Sequence, residues 1–164
     1  LNNKFNNTEI IIENFATGDE NKKFTINQLV ESSSSTIKQI DTNSKYFKKK
    51  FFFLKKKQEG QLFHKLDIKM LTLQNYIIEN NNENIDLIKI DTEGYENETI
   101  LGLKEKIKNV KLIFFEHHYD NMIIKNYKFS DLHKYLVKNN FFQVFKIKMP
   151  LRKSFEYIYE NKEY

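Results

Sequence analysis

No cysteine occurs among the 164 residues, so neither a disulfide nor a thiolate metal site can form, and the composition suits a reducing compartment. No apolar run approaches the roughly 20 residues that a membrane helix needs, and no charged n-region followed by an apolar h-region marks a signal peptide at the N-terminus. A large charge of one sign is missing too. The 27 basic and 22 acidic residues leave +5, spread along the chain, which reads as solubility and not as a nucleic-acid partner. A soluble, cytoplasmic protein without nucleic-acid or membrane partners is expected. What is present is 40% hydrophobic residues, enough for one domain with a real core, 1–164, and too little chain for two typical ones. The first residue is Leu1, so the chain is expected to be processed, trimmed or part of a longer protein.

Periodicity places the elements. EIIIENF (9–15) reads as a strand ending at the polar turn ATGDEN, and KKFTINQLV (22–30) as a half-exposed strand that breaks at Ser32–Ser35. Residues 31–50 read as a mobile loop. KKKFFFLKKK (48–57) is an apolar patch between basic flanks, and LFHKLDIKML (62–71) alternates as an amphipathic strand does. Thr72 caps a short helix over LQNYIIEN. ETILGLKEKI (98–107) puts Ile100, Leu101, Leu103 and Ile107 on one helical face, with Glu96 and Glu98 near the positive N-terminus. KLIFFEHH (111–118) is a second near-continuous apolar strand. Ser130 then caps the helix DLHKYLVKNN, and FFQVFKIKM with SFEYIYE forms a closing antiparallel hairpin around Pro150.

The most informative stretch is IDLIKIDTEGYE, residues 85–96. Ile85, Leu87, Ile88 and Ile90 predict a strand buried in the middle of a parallel sheet, and the run ends abruptly in acids and Gly94, which permits a tight turn into the next helix. Strands alternating with helices predict an α/β fold, in which ligands bind beyond the carboxyl ends of the strands. Asp91, Glu93, Glu116, His117 and His118 all stand at such ends. The acids there can accept hydrogen bonds from a ribose or amine, orient a substrate hydroxyl or act as a base; they can equally be plain helix-terminus charges. His117 and His118 can supply a general base or, with Asp91 and Glu93, bind a metal. Adjacent strand residues point to opposite faces, so at most one histidine is expected to face the site, and no metal is expected. The patch at 48–57 can hold phosphate or nucleic acid, or simply guard an apolar strand with solvated charge.

IDLIKIDTEGYENETILGL resembles the signature of the FkbM family of S-adenosylmethionine-dependent methyltransferases, an acid-ended strand and turn followed by an x-x-x-L-x-G helix. ATGDEN resembles the family's A-x-G-D turn after its third strand, Ser32–Thr36 its serine-rich insertion, MLTLQNYI its T-L-D-x-x element and LIFFEHH its acid-ended fifth strand. Gln74 departs from the family's usual aspartate. The resemblance implies a Rossmann-like class I methyltransferase fold: a mostly parallel sheet of order 3-2-1-4-5-7-6 with a C-terminal antiparallel hairpin. It also implies S-adenosylmethionine as cofactor and methyl transfer to a hydroxyl of a small-molecule or glycan acceptor, such as a sugar or secondary metabolite. Asp91, Glu93, His117 and His118 become the expected catalytic residues, and Ala16, Asp19 and Asp91 the expected cofactor contacts. The family's glycine-rich loop after its first strand and the acid after its second have no counterpart here, and LNNKFNN resembles the tail of the helix after strand two. The expectation is therefore a C-terminal portion of the domain, lacking the first two strands and inactive alone. A methyltransferase-like binding module that has lost its cofactor is the alternative.

Overall fold

The structure is a computed structural model and describes residues 10–29, 37–39, 41–45, 47–49, 63–150 and 152–164. The apolar patch expected as a strand at 48–57 lies almost entirely outside them, as do the serine-rich run and residues 1–9.

Val110, Ile113 and Phe115 lie along one strand, β5 (Val110–His118), and each is fully buried; Ile113 and Phe115, two apart, share a face of it. Tyr157 and Tyr159 of β7 (Ser154–Asn161) stack at 5.6 and 5.8 Å from the Phe115 ring. β4 (Ile85–Ile90) pairs with β5 in parallel, β7 with β5 antiparallel, and β6 (Phe141–Lys148) with β7 antiparallel, which gives the order β4-β5-β7-β6. The closing hairpin is as expected from the sequence. This order coincides with the last four positions of the order that the resemblance implies.

Among the described residues, three helices and one 3-10 helix pack against this sheet. Thr72 caps α1 (Leu73–Glu79): its hydroxyl accepts the Asn75 N–H at 3.2 Å, satisfying one orphan donor of the first turn. α2 (Glu96–Leu101) follows β4, and a 3-10 helix, Lys104–Asn109, leads into β5. α3 (Phe129–Lys138) contributes Leu132 and Leu136, both fully buried. These meet Ile77, Ile100, Leu103, Ile107, Phe141 and the β5 and β7 residues in one cluster. Among the described residues no helix is long and apolar enough to cross a membrane.

A second sheet holds β1 (Ala16–Gly18), β2 (Lys22–Leu29) and β3 (Phe63–Thr72) in the order β1-β3-β2, β1 parallel and β2 antiparallel to β3. It is joined to α2 through Gly18 and Gly102. A β-carbon on Gly102 would stand 2.0 Å from the Gly18 carbonyl oxygen, so only glycine lets the two backbones approach this closely. The Thr17 and Thr99 hydroxyls meet beside that contact at 3.3 Å.

Several expectations are corrected. The sheets are mixed, not mostly parallel: β1–β3 and β4–β5 are the parallel pairs, and the other three are antiparallel. The strand expected at 9–15 is not one over residues 10–15; regular pairing begins only at Ala16, where β3 supplies the partner. β4, expected in the middle of a sheet, has β5 as its one strand neighbour among the described residues, and Leu87 is 51% exposed; the implied order puts one of the two lacking strands on its other side. The helix expected across 98–107 breaks at Gly102, where the approach to Gly18 and a positive φ of 47° at Lys104 end the α-helical path. Ser130 lies inside α3, not at its cap; the N-cap is Lys128, whose N–H reaches the Asp131 carboxylate at 3.4 Å. Gln74 bridges the broken helix to α1, since its backbone N–H donates to the Gly102 carbonyl at 2.9 Å and its side-chain oxygen accepts the Glu105 N–H at 3.1 Å.

Leu136 tests this core. Leu136→Ala should lower the unfolding free energy by about 2–5 kcal/mol, because removed methyl groups leave a cavity that close-packed neighbours cannot fill; urea denaturation followed by circular dichroism measures it, and a midpoint equal to wild type would contradict the packing described.

Candidate functional site

The turn after β4 is built to bring acids to one place. Glu93 and Gly94 both take left-handed backbone conformations, φ +47° and +102°. At Glu93 this conformation is uncommon for a residue with a side chain and costs on the order of 1–3 kcal/mol. At Gly94 a β-carbon would also collide with the Ile123 side chain at 2.4 Å, so the turn needs glycine for space as well as for φ. The reversal sends Glu96 back beneath its own turn. Its carboxylate, 1% exposed, accepts the Gly94 N–H at 2.6 Å through Oε1 and the Tyr127 hydroxyl at 2.8 Å through Oε2. Burial raises the Glu96 pKa, and these two donors with His118 pull against that shift.

β5 delivers the two histidines to opposite faces. His117 is packed among the rings of Tyr119, Tyr127 and Phe129, with centroids at 4.7, 5.6 and 5.2 Å. Burial, then the positive charges of Lys125 and His118, lower its pKa to about 3, so the imidazole is neutral at physiological pH. Its Nδ1 lies 3.3 Å from the Tyr127 oxygen. The single Tyr127 proton is given to Glu96 at the shorter distance, so Nδ1–H is the donor and Nε2 keeps its lone pair. Among the described residues that Nε2 has no hydrogen-bond partner.

His118 meets the opposite environment. Its Nε2 faces Glu93 Oε2 at 3.5 Å and Glu116 Oε1 at 3.7 Å, and its Nδ1 faces Asp120 Oδ2 at 3.6 Å. These separations are ion-pair contacts, too long for hydrogen bonds. Burial opposes a charge on the ring, but Asp120, Glu93, Glu116 and Glu96 together outweigh it and raise the pKa. Asp120 is itself buried, which resists ionisation, yet His118 and the Met122 N–H at 2.9 Å hold its carboxyl below the usual range. Beside them Lys125 donates to the His118 carbonyl; burial lowers its pKa while Glu96 and Asp120 counteract. Among the described residues no group of three or more His, Asp and Glu side chains converges on a metal position.

The expected site residues are thus only partly gathered. Glu93, His117 and His118 converge with Glu116 at the carboxyl ends of β4 and β5. Asp91 stands exposed just after β4 and makes no hydrogen bond or ion pair with a described residue. Ala16, half-buried, opens β1 of the second sheet and Asp19, exposed, follows that strand; no hydrogen bond or ion pair links them to Asp91 or the histidines. Asp19 acts at a distance on Tyr95, the N-cap of α2, whose pKa is pushed up to about 12 by burial first and then by Asp19, Glu98 and Glu20. Glu96, Asp120, Lys125 and Tyr127 were not singled out from the sequence as site residues. Glu96 had a signal, being the last acid of DTEGYE, but it read as a helix-terminus charge; the other three sit in a segment without periodicity.

A cleft of about 480 Å³ opens at the end of β5, lined by His117, His118, Asp120, Lys125, Tyr127 and their neighbours. A neutral imidazole with a free nitrogen beside an imidazole whose pKa is raised, the two driven apart, is the arrangement that acid–base chemistry uses.

The model of the family described as "Methyltransferase FkbM domain" matches residues 1–144. No curated protein and no solved structure matches the chain.

The opposed histidines have opposite signs in pH. The stabilisation from His118 is fully present below the ordinary histidine value of 6.5 and fades as pH rises through its raised pKa. That from Asp120 is fully present above 3.8 and fades as pH falls through its lowered one, so both operate fully between these values. In an NMR titration of the ring protons from about pH 8 to about pH 5, His118 should titrate with a midpoint above 6.5 while His117 stays neutral throughout. A His117 midpoint near the ordinary value would contradict its burial among the rings.

Proposed function

This chain belongs to the FkbM methyltransferase family, and on that footing we propose that its domain, of Rossmann-like class I type, uses S-adenosylmethionine to methylate a hydroxyl group of a small-molecule or glycan acceptor. The observation that carries the reading is His117: a neutral, buried imidazole whose Nδ1 is committed to Tyr127 and whose Nε2 is left as a proton acceptor beside a cleft.

The donor chemistry fits the cofactor. Asp91 is an exposed carboxylate without a partner among the described residues, at the end of a parallel strand, ready to accept from a hydroxyl or an ammonium group. Asp19, exposed at the end of β1, has the same capacity, and Ala16 offers backbone beside it. S-adenosylmethionine, when bound, supplies a methyl group already activated by its sulfonium, which leaves alignment and local electrostatics to the protein.

The chain's own residues divide that work. His117 Nε2 accepts a hydrogen bond from the acceptor hydroxyl and takes its proton late, as the new O–CH3 bond makes the oxygen strongly acidic, and the imidazolium formed is steadied through Nδ1–H, Tyr127 and the Glu96 carboxylate. His118 with Glu93, Glu116 and Asp120 fixes the loop that walls the cleft, so the acceptor is oriented by a rigid surface. The cytoplasm suits this chemistry and the lack of cysteine. A binding module that no longer turns over is the second reading; the sequence upstream of Leu1 discriminates, since a glycine-rich loop missing there would favour it.

Methyl transfer from isotopically labelled S-adenosylmethionine to hydroxyl acceptors separates the two readings. In a form of the protein that is active, His117→Gln should lower the rate about 10²–10⁴-fold, the usual worth of a general base. Asp91→Asn should weaken cofactor binding measured by calorimetry. Undiminished transfer in His117→Gln would remove it from the mechanism; absence of both binding and transfer in wild type would favour the module.

A further inference from the structure

A second cleft, of about 550 Å³, adjoins the first and shares Tyr119, Asp120 and Asn121 with it; beyond these it is lined by Asp41, Ser44, Lys45, Lys49 and Lys153. Its cations are uncommitted. Among the described residues none of Lys45, Lys49 and Lys153 forms an ion pair or side-chain hydrogen bond, whereas both acids have internal partners: Asp120 holds His118 and the Met122 N–H, and Asp41 accepts the Asn43 N–H at 2.9 Å.

The lysines are held in place by backbone, not by salt bridges. The Asp41 N–H donates to the Met122 carbonyl at 2.8 Å and the Ile124 N–H to the Gln39 carbonyl at 3.0 Å, which ties this segment, just before the helical residues 45 and 47–49, to the wall of the first cleft. Within the turn, the Ser44 hydroxyl accepts the Phe47 N–H at 3.2 Å and the Lys48 N–H reaches the Ser44 carbonyl at 3.1 Å. Lys153 is anchored through its carbonyl, which accepts the Tyr119 N–H at 2.6 Å. Lys45 and Lys49 are four residues apart, so they project from the same side of the turn, an arrangement of like charges that destabilises a helix unless an anion is shared between them.

We propose that this cleft binds a phosphoryl group of the acceptor: the substrate is a phosphorylated hydroxyl compound, its anion on Lys45, Lys49 and Lys153 and its reacting hydroxyl toward His117 along the lining that the two clefts share. A phosphate monoester carries about −1.5 to −2 charges at neutral pH, a match for three lysines that a singly charged carboxylate does not offer. The word acceptor rests on the methyltransferase reading; the anion site does not.

The test therefore needs neither cofactor nor turnover. Inorganic phosphate is titrated into the chain by calorimetry, with acetate at equal ionic strength as the comparison, and again into Lys45→Gln/Lys49→Gln/Lys153→Gln, whose three changes are all at exposed positions. Phosphate should bind more tightly than acetate, weaken with added salt, and lose at least about tenfold in affinity in the triple variant. No phosphate binding, equal affinity for acetate, or unchanged binding in the variant would overturn the site. Any of these would leave the His117→Gln result, and with it the methyl-transfer reading, standing on its own.

Discussion

Everything at the carboxyl end of the main sheet hangs on one buried carboxylate. Glu96 is removed from water without a cation in hydrogen-bonding contact, and its two oxygens are satisfied instead by the Gly94 N–H and the Tyr127 hydroxyl. A buried charge is tolerable only when its lone pairs are met, so these bonds are a condition of the fold and not an ornament on it. The first fixes the reversal that follows β4, including the left-handed pair Glu93–Gly94. The second pins the 119–129 segment over that turn. From Tyr127 the chain of contacts continues to His117 Nδ1, so the position and tautomer of the candidate base are set by a residue outside its own strand.

The two histidines show how adjacent residues acquire different chemistry. Alternation along β5 turns one ring toward α3 and aromatic side chains and the other toward four acids. Desolvation decides the first and charge the second. His118 adds a lesser push to the first, but each outcome follows mainly from what its sheet face packs against. The repulsion within the acid cluster favours a proton on the His118 ring, whose pKa it raises, with Lys125 close by.

Much of this was legible in the sequence, and what was not has physical causes. The capped helix after Thr72, the strand 110–118 and the closing hairpin follow from local periodicity and cap chemistry, which act within a few residues. The signature at 85–96 pointed to the family and to Glu93, and the acid-ended strand at 111–118 to His117 and His118. The apolar run of β4 reports that a strand can be buried, not which neighbours it receives; its bare side is where the implied order 3-2-1-4-5-7-6 puts a strand that these residues lack. The break at Gly102 depends on Gly18, more than 80 residues away in the chain, and no periodicity reports such a contact. Tyr127 and Asp120 were missed because they occur where the backbone is irregular and their roles exist only after the turn at Glu93–Gly94 has closed on them.

The central claim is that Glu96 and Tyr127 act as one unit that positions His117. A double-mutant cycle on Glu96→Gln and Tyr127→Phe, read by denaturant unfolding, measures it directly: residues sharing a buried hydrogen bond should show a coupling of about 0.5–3 kcal/mol. Strictly additive effects would mean that the two side chains do not depend on each other, and the account of the site built on them would fail.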